Sequence, residues 1–296
     1  MSPDKKLLHM ETLEDIIECA LYTAPLANTI PISIMLVGLP GTGKSKALLQ
    51  FDSPSLHVTN DITSAGLSEM LSDDKLGSIR HIAIPDFNIV VSHKQSTSNL
   101  TIANLLSVMA EGTMRVDDGR RVKEIFHAPV GIITAMTREV YEVNAGKFLK
   151  LGIGRRFCPI FFGYSFATRE AVMNAIANGG VTLQQLIPKT LNFPPLTEWP
   201  ISIGIDDVTS LEIKSIASEM SSNLSYQPKW SRDEESRWII KPFRGENPIA
   251  FTPHMILRTV AQGHALRAGR KEVNKEDLRF IVKFVSFTNY SLPVQL

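Results

Sequence analysis

Short apolar runs separated by helical patterns dominate the first part of the chain. The runs predict five buried strands, at residues 30–37, 56–58, 79–85, 130–135 and 158–162. Helical spacing of apolar residues indicates helices at residues 12–24, 44–50 and 99–110. Thr12 is expected to cap the first of these helices. Apolar strands that alternate with helices are typical of a parallel sheet covered on both faces, so we expect an α/β fold with a three-layer αβα core.

The pattern becomes mainly helical after residue 167. Further helices are predicted at residues 168–177, 206–220, 252–266 and 274–287. A polar stretch near residues 222–250 interrupts them, and we interpret it as an irregular excursion or a hairpin. The chain is therefore expected to form an αβ domain at residues 1–167 and a mainly helical lid domain at residues 168–296.

A glycine-rich loop follows the first predicted strand. Its sequence, Gly-Leu-Pro-Gly-Thr-Gly-Lys-Ser, matches the phosphate-binding pattern G-x-x-x-x-G-K-[ST] in the expected strand–loop–helix context. Glycines let the loop turn its N–H groups toward an anion, Lys44 is expected on the β- and γ-phosphates, and Ser45 on Mg²⁺. A chance match in a glycine-rich turn is the alternative. The residues expected to contact the nucleotide here are Gly38, Leu39, Pro40, Gly41, Thr42, Gly43, Lys44, Ser45 and Lys46.

An acidic residue ends the third predicted strand. Asp86 follows an apolar run and is expected to hold the magnesium ion together with Ser45. The alternative is a cap for a turn or helix. Many ATPases place a glutamate directly after this aspartate to orient the attacking water, but Phe87 stands there, so slow turnover is expected. Glu111 is a weak candidate for the base, with a surface charge at a helix end as the alternative.

Composition and charge exclude several classes of protein. The 31 basic and 30 acidic residues give a net charge of +1, so no global basic surface for nucleic acid is expected. Two cysteines, Cys19 and Cys158, match no metal-binding spacing and suggest a reducing compartment. The N-terminus lacks the apolar core of a secretory signal, and no run of about 18 apolar residues could span a membrane. We expect a cytoplasmic protein.

Two further segments resemble parts of the AAA+ ATPases. Residues 131–137 resemble the sensor-1 strand of that family, which implies that Thr137, or else Thr134, contacts the γ-phosphate or the attacking water. The family usually has Asn at this position, and a threonine that caps a turn is the alternative. Residues 154–157 resemble the segment that carries the arginine finger, which implies that Arg156 or Arg155 acts on the nucleotide of the next subunit. A surface arginine pair is the alternative.

The resemblance covers residues 30–166 well and the helical remainder loosely. Residues 105–125, a helix and then a hairpin, are similar to the element before sensor 1 in MoxR-type ATPases, sigma-54 activators and MCM helicases. The segments around Asp86 and Asp61 also look like ATPases of mobile elements and phages. In the family, a lid helix donates a sensor-2 arginine; here His254 holds the expected position, and Arg258, one turn later, is the candidate.

Two other signals point to different ligands. Residues 274–277, Asn-Lys-Glu-Asp, match a guanine-recognition motif but are better explained as a helix cap, with Asn274 and Asp277 three residues apart. The hairpin carries four basic residues that could contact a phosphate backbone in a ring pore, the alternative being a solvated charge cluster. These residues are Arg115, Arg120, Arg121 and Lys123.

Taken with the resemblance, these patterns predict an ATPase that uses ATP and Mg²⁺ at the subunit interfaces of a homo-oligomeric, hexameric ring. The residues expected to act in hydrolysis are Lys44, Asp86, Thr137, Arg155 and Arg156. The ring is expected to remodel a protein partner. The alternatives are a DNA translocase of a mobile element or defence system, and a slow nucleotide switch that scaffolds a complex.

Overall fold

The structure is a computed structural model of the chain, and it describes residues 10–74, 77–117, 122–153, 156–178, 189–232, 238–244 and 251–296. The helices are α1 (Glu11–Leu21), α2 (Lys44–Leu49), α3 (Ser64–Asp73), α4 (Phe87–Ser92), α5 (Gln95–Glu111), α6 (Arg138–Leu151), α7 (Phe166–Ala177), α8 (Asp207–Leu224), α9 (Phe251–Arg267) and α10 (Lys275–Ser286). The strands are β1 (Ser33–Gly38), β2 (Phe51–Asp52), β3 (Leu56–Val58), β4 (His81–Ile84), β5 (Thr113–Asp117), β6 (Val122–Phe126), β7 (Gly131–Thr137), β8 (Phe157–Gly163), β9 (Lys189–Thr190), β10 (Tyr226–Arg232), β11 (Trp238–Arg244) and β12 (Val294–Gln295).

Six parallel strands form the central sheet, in the order β12-β8-β1-β7-β4-β3. Strands β1 and β8 are buried along their whole length, as continuous apolar runs predict for a parallel sheet covered on both sides. The α/β fold class is confirmed. Strand β7 lies between β1 and β4, so the ends of three strands that carry predicted site residues are neighbours at the carboxyl edge of the sheet.

Alternate residues of the strands point into two separate cores. Ile34 and Leu36 of β1 pack with α1, α2 and the helices α8–α10, whereas Met35 and Val37 pack with α3–α6 on the opposite face. Successive side chains alternate between the two cores because a pleated strand points them to opposite faces of the sheet. Helices therefore cover both faces of the sheet.

The helices α8, α9 and α10 pack against one another, and α9 also packs against α1. An ion cluster ties α9 to α1, with Arg267 2.7 Å from Asp15 and 2.9 Å from Glu18. The chain then returns to the sheet, where β12 pairs with the end of β8. The last strand thus belongs to the sheet although it lies beyond the predicted boundary at residues 167–168.

The structure differs from the predicted elements in several places. Helix α1 begins at Glu11, and the N-cap is Met10, which makes no side-chain capping bond, so the prediction that Thr12 caps it is wrong. Met10 is fully buried, and its packing rather than a hydroxyl cap sets the start. Helices α4 and α6 had not been predicted. The excursion near 222–250 is confirmed as a two-stranded antiparallel pair, β10 and β11.

Candidate functional site

The loop between β1 and α2 has the backbone that its glycines permit. Gly41 and Gly43 lie in the left-handed region, at φ of 75° and 76°, which other residues adopt only with strain. A Cβ atom at Gly41 would meet nothing within 4 Å, so the loop faces open space there. A Cβ atom at Gly38 would lie 3.1 Å from the carbonyl oxygen of Phe162, so the close approach of β8 favours glycine there.

Lys44 folds back over this loop. Its ammonium donates to the carbonyl oxygens of Gly38, at 3.0 Å, and Leu39, at 2.6 Å, and lies 3.3 Å from the hydroxyl of Thr42. Burial lowers the pKa of Lys44 to about 8, and the charge of Asp86 opposes that shift. A buried ammonium held only by neutral oxygens is poised to gain from an anion that enters the loop.

Ser45 and Asp86 meet at the ends of neighbouring segments. The Ser45 hydroxyl donates to the carbonyl oxygen of Pro85 at 2.8 Å, which places it beside the residue before Asp86. Asp86 caps α4, because its Oδ1 accepts a hydrogen bond from the Asn88 amide at 3.0 Å. The predicted alternative role as a cap is therefore confirmed. No hydrogen bond from the described residues uses Oδ2, so one carboxylate oxygen remains available to a cation.

The two threonine candidates on β7 have different surroundings. Thr134 is fully buried and donates to the carbonyl oxygen of Ile84 at 2.6 Å, so its hydroxyl joins β7 to β4. Thr137 ends the strand, is partly exposed, and pairs in register with Gly38 at the start of the glycine-rich loop. Of the two, only Thr137 stands beside the loop.

Tyr164 is a residue of this site that sequence reasoning missed. It directly follows β8, the other neighbour of β1, and its hydroxyl donates to the carbonyl oxygen of Thr42 at 3.2 Å. Burial raises its pKa. The sequence does show that Tyr164 follows a buried strand. Only the strand order in the sheet shows that this strand lies next to β1.

Arg156 lies at the opposite end of the strands, where the parallel strands begin, which we call the amino edge of the sheet. It precedes β8, whose first residue Phe157 pairs with Ser33 at the start of β1. The five residue-to-residue steps from Ser33 to Gly38 span about 17 Å at the usual rise of a parallel strand. Arg156 is exposed, and its guanidinium makes no ion pair or hydrogen bond with the described part of the chain. Arg155 lies outside the described residues.

Glu111 also belongs to that amino edge. It ends α5, whose Val108 carbonyl oxygen accepts a hydrogen bond from Val130, just before β7 begins. Since Lys44 lies beyond the other end of β7 and β1, Glu111 cannot serve as a base for the loop of its own chain. The weak prediction for Glu111 is corrected on this ground.

Arg258 is separated from the loop in the same way. Thr259, the next residue of α9, lines a cavity at the amino edge together with Ser33 and Arg156. Arg258 itself is exposed. The structure thus does not bring Arg258 to Lys44 of the same chain, and its contact with a nucleotide stays a prediction. Burial lowers the pKa of the nearby His254, and the charge of Arg258 adds to the effect.

The guanine-like motif is a helix cap. Asn274 and Asp277 form a capping box at the start of α10, and Asp277 is fully buried with both oxygens on Arg270 at 2.7 Å. No oxygen is left to read a base, so the cap interpretation is confirmed. Of the hairpin's basic residues, Arg120 and Arg121 lie outside the described residues, while Arg115 and Lys123 belong to the paired backbone of β5 and β6.

Comparison with known proteins leaves the site to be interpreted from its geometry. No protein-family model matches the chain, and no curated protein is significantly similar to it. In the described ranges, no helix is long and apolar enough to cross a membrane. The same ranges hold no cluster of three or more His, Cys, Asp or Glu side chains suited to a metal. A cation beside Ser45 and Asp86 would therefore share its coordination with ligand and water oxygens, as Mg²⁺ commonly does in phosphate sites.

Proposed function

We propose that this chain is an AAA+-type P-loop ATPase that binds ATP with Mg²⁺ at residues 38–46 and hydrolyses it in a ring. The observation that carries the proposal is the convergence of Lys44, Ser45, Asp86 and Thr137 at one edge of the sheet. Lys44 and Ser45 begin α2 directly after the loop, Asp86 follows β4, and Thr137 ends β7. A buried ammonium, a hydroxyl and a carboxylate around an open loop suit a triphosphate and its magnesium ion.

Each side chain has a distinct part in this proposal. The ammonium of Lys44 exchanges its carbonyl partners for the β- and γ-phosphates, since charged acceptors bind it more strongly. Ser45 and Asp86 supply oxygens to Mg²⁺, which neutralises phosphate charge when bound. Thr137 lies where its hydroxyl can orient the γ-phosphate or water. Tyr164 positions the loop through the Thr42 carbonyl.

The position of Arg156 supports assembly. At the amino edge it cannot reach Lys44 of its own chain, but it can reach the carboxyl edge of an adjacent copy in a head-to-tail ring. An exposed guanidinium that has no ion-pair or hydrogen-bond partner among the described residues suits this role, because its planar donors match phosphate oxygens. We assign Arg258, which lies at the same amino edge, to the same neighbouring nucleotide. Work on a protein partner is the purpose that the balanced net charge favours.

Nucleotide binding is the first test. Lys44→Ala should abolish magnesium-dependent binding of ATP, measured by calorimetry, because the loop loses its only buried ammonium among the described residues. The matched control is Lys283→Ala, an exposed lysine on α10 that should leave the affinity unchanged. The proposal fails if the wild-type protein binds no ATP, or if Lys44→Ala binds it equally well.

A further inference from the structure

A cavity of about 320 Å³ lies at the amino edge of the sheet, away from the glycine-rich loop. It is open to solvent on one side and lined by residues 30–33, which lead into β1, by the end of α5, by the first turns of α9 and by Arg156. Its volume equals that of about ten liquid water molecules and falls at the small end of ligand pockets. The cavity is therefore of a size for a compact small molecule.

The walls of this cavity are mainly apolar. Ile30 and Ile32 form one side, Met109 another, and Met255 and Ile256 of α9 a third. Ile30 is 46% exposed and Met255 42% exposed, so both present apolar surface to whatever enters. Apolar surface that an organic ligand covers is removed from water, which favours binding.

The polar groups of the cavity are few, and two of them are already satisfied. The hydroxyl of Thr259 donates to the carbonyl oxygen of Met255, and that of Ser33 accepts from the amide of Ile132. Thr252 and the guanidinium of Arg156 have no hydrogen-bond partner among the described residues. A guanidinium with free donors beside an apolar wall matches a carboxylate attached to an apolar body.

The surrounding charges agree with an anionic ligand. In the described ranges, no acidic side chain lines the cavity. Arg258 lies beside the face of α9 that lines it. Glu111, next to Ala110 of the lining, is exposed and has the Thr113 hydroxyl at 3.3 Å from its carboxylate. It is not paired with Arg156.

From these features we infer that the cavity binds a compact amphipathic monocarboxylate, with its apolar body between Ile30, Met109 and Met255 and its carboxylate on Arg156. A second consequence rests on the proposed function. A carboxylate that holds Arg156 keeps it from the nucleotide of the adjacent subunit. Occupancy should therefore slow hydrolysis without weakening ATP binding, because the ammonium of Lys44 lies at the other edge.

Binding is tested without nucleotide, so its result does not depend on the proposed ATPase. The probe is 4-phenylbutyrate, and its uncharged amide is the matched ligand, both titrated by calorimetry. Arg156→Gln should weaken the carboxylate roughly 10- to 100-fold and leave the amide nearly unchanged, since only the charged hydrogen bonds are lost. Met255→Trp, which fills the cavity, should weaken both ligands. Lys283→Gln should change neither.

The inference is overturned if 4-phenylbutyrate does not bind, or if Arg156→Gln binds it as tightly as the wild type does. Thermal unfolding of each variant checks that it is folded; if Arg156→Gln is unfolded, Arg156→Lys takes its place and should lose most of the preference for acid over amide. In the second arm, the probe should lower the ATPase rate of the wild type but not that of Met255→Trp. If the wild type binds no ATP, the proposed function is wrong, but the result of the carboxylate titration is unaffected.

Discussion

Under the proposed function, Phe87 follows Asp86 where many ATPases have a glutamate, and its packing explains why a carboxylate does not fit there. Its ring is fully buried in the core beneath α4 and lies 6.0 Å from the ring of Phe157. Asp86 turns the chain into α4, and the first residue of that helix points inward. The side chain after Asp86 thus serves packing, and slow turnover is expected.

Replacing Phe87 by Glu should therefore destabilise the protein and not accelerate hydrolysis. The variant loses an aromatic side chain from the core and buries a carboxylate without a partner, which costs about 3–5 kcal/mol. Urea denaturation and the ATPase rate are the measurements. Phe87→Leu, which keeps an apolar side chain, should lose less. A Phe87→Glu protein that is as stable as the wild type and faster would contradict this account.

Asp74 is a second residue whose surroundings set its charge. Its side chain is 6% exposed, accepts hydrogen bonds from the amides of Ser78 and Ile79, and lies 3.0 Å from the Nε2 atom of His127. Burial acts to raise the pKa of Asp74, but the hydrogen bonds from Ile79, His127 and Ser78 outweigh it and lower the pKa to about 2. The carboxylate therefore stabilises the loop after α3 in its charged form.

This shift predicts a dependence of stability on acid. Because the pKa of Asp74 is lower in the folded chain than in the unfolded one, its contribution is complete above pH 4 to 5 and is lost as the pH falls toward 2. Asp74→Asn should reduce the free energy of unfolding by about 2 kcal/mol at pH 7 and by less at pH 3. Chemical denaturation at both pH values measures this. The exposed neighbour Asp73, changed to Asn, should show neither effect, and an equal loss at both pH values would refute the assignment.

At the scale of elements, α10 depends on one buried carboxylate. Asp277 accepts from Arg270 at two oxygens, from the amide of Asn274 at 2.7 Å and from the ring of His264. The hydrogen bonds from His264 and Arg270 hold the pKa of Asp277 below its ordinary value against the opposing effect of burial. The cluster of Asp277, His264 and Arg270 therefore joins the end of α9 to the start of α10.

Asp277→Asn should cost about 3 kcal/mol, because an amide leaves the guanidinium of Arg270 without its charged partner and presents N–H groups to other donors. Thermal and urea unfolding measure the loss. Glu276→Gln is the matched control: it lies in the same turn, is 71% exposed, and stands 3.9 Å from Arg270. Exposed pairs of this kind contribute little, so its stability should match the wild type. Equal stability of both variants would show that the cluster is dispensable.

At the scale of the whole molecule, the proposed nucleotide groups and Arg156 lie at opposite edges of one sheet. The sheet is continuous and packed on both faces, so no local movement of a side chain can bring the two together. Hydrolysis is therefore expected to depend on contact between copies of the chain, and the rate per subunit should rise with protein concentration.

Mixing inactive subunits provides the sharpest check. Lys44→Ala and Arg156→Ala should each be inactive alone. In an equal mixture, about a quarter of the interfaces join an intact loop to an intact Arg156, half multiplied by half, so activity should return. The readout is ATPase rate against mixing ratio, with the double variant Lys44→Ala/Arg156→Ala as the control partner that restores nothing. Failure of the mixture while wild type is active would exclude an arginine that acts between subunits.

The sequence alone determined the features that depend on residues close together in the chain. These are the alternation of apolar runs with helices, the glycine-rich loop and the cap of α10. Gly41 and Gly43 adopt their turn for local steric reasons. Asn274 forms its capping box with Asp277, which is only three residues away. The helices α4 and α6 escaped prediction because α4 has only six residues and α6 is more polar than the helices that were predicted.

Tertiary structure decided which of the candidate residues meet. The insertion of β7 between β1 and β4 sets Thr137 beside the loop and leaves Thr134 inside the sheet. The packing of α9 against α1 carries Arg258 to the amino edge, and the pairing of β8 with β1 brings Tyr164 to the loop and Arg156 to the far side. These placements arise from contacts between residues distant in sequence, and the spacing of a motif holds no information about them.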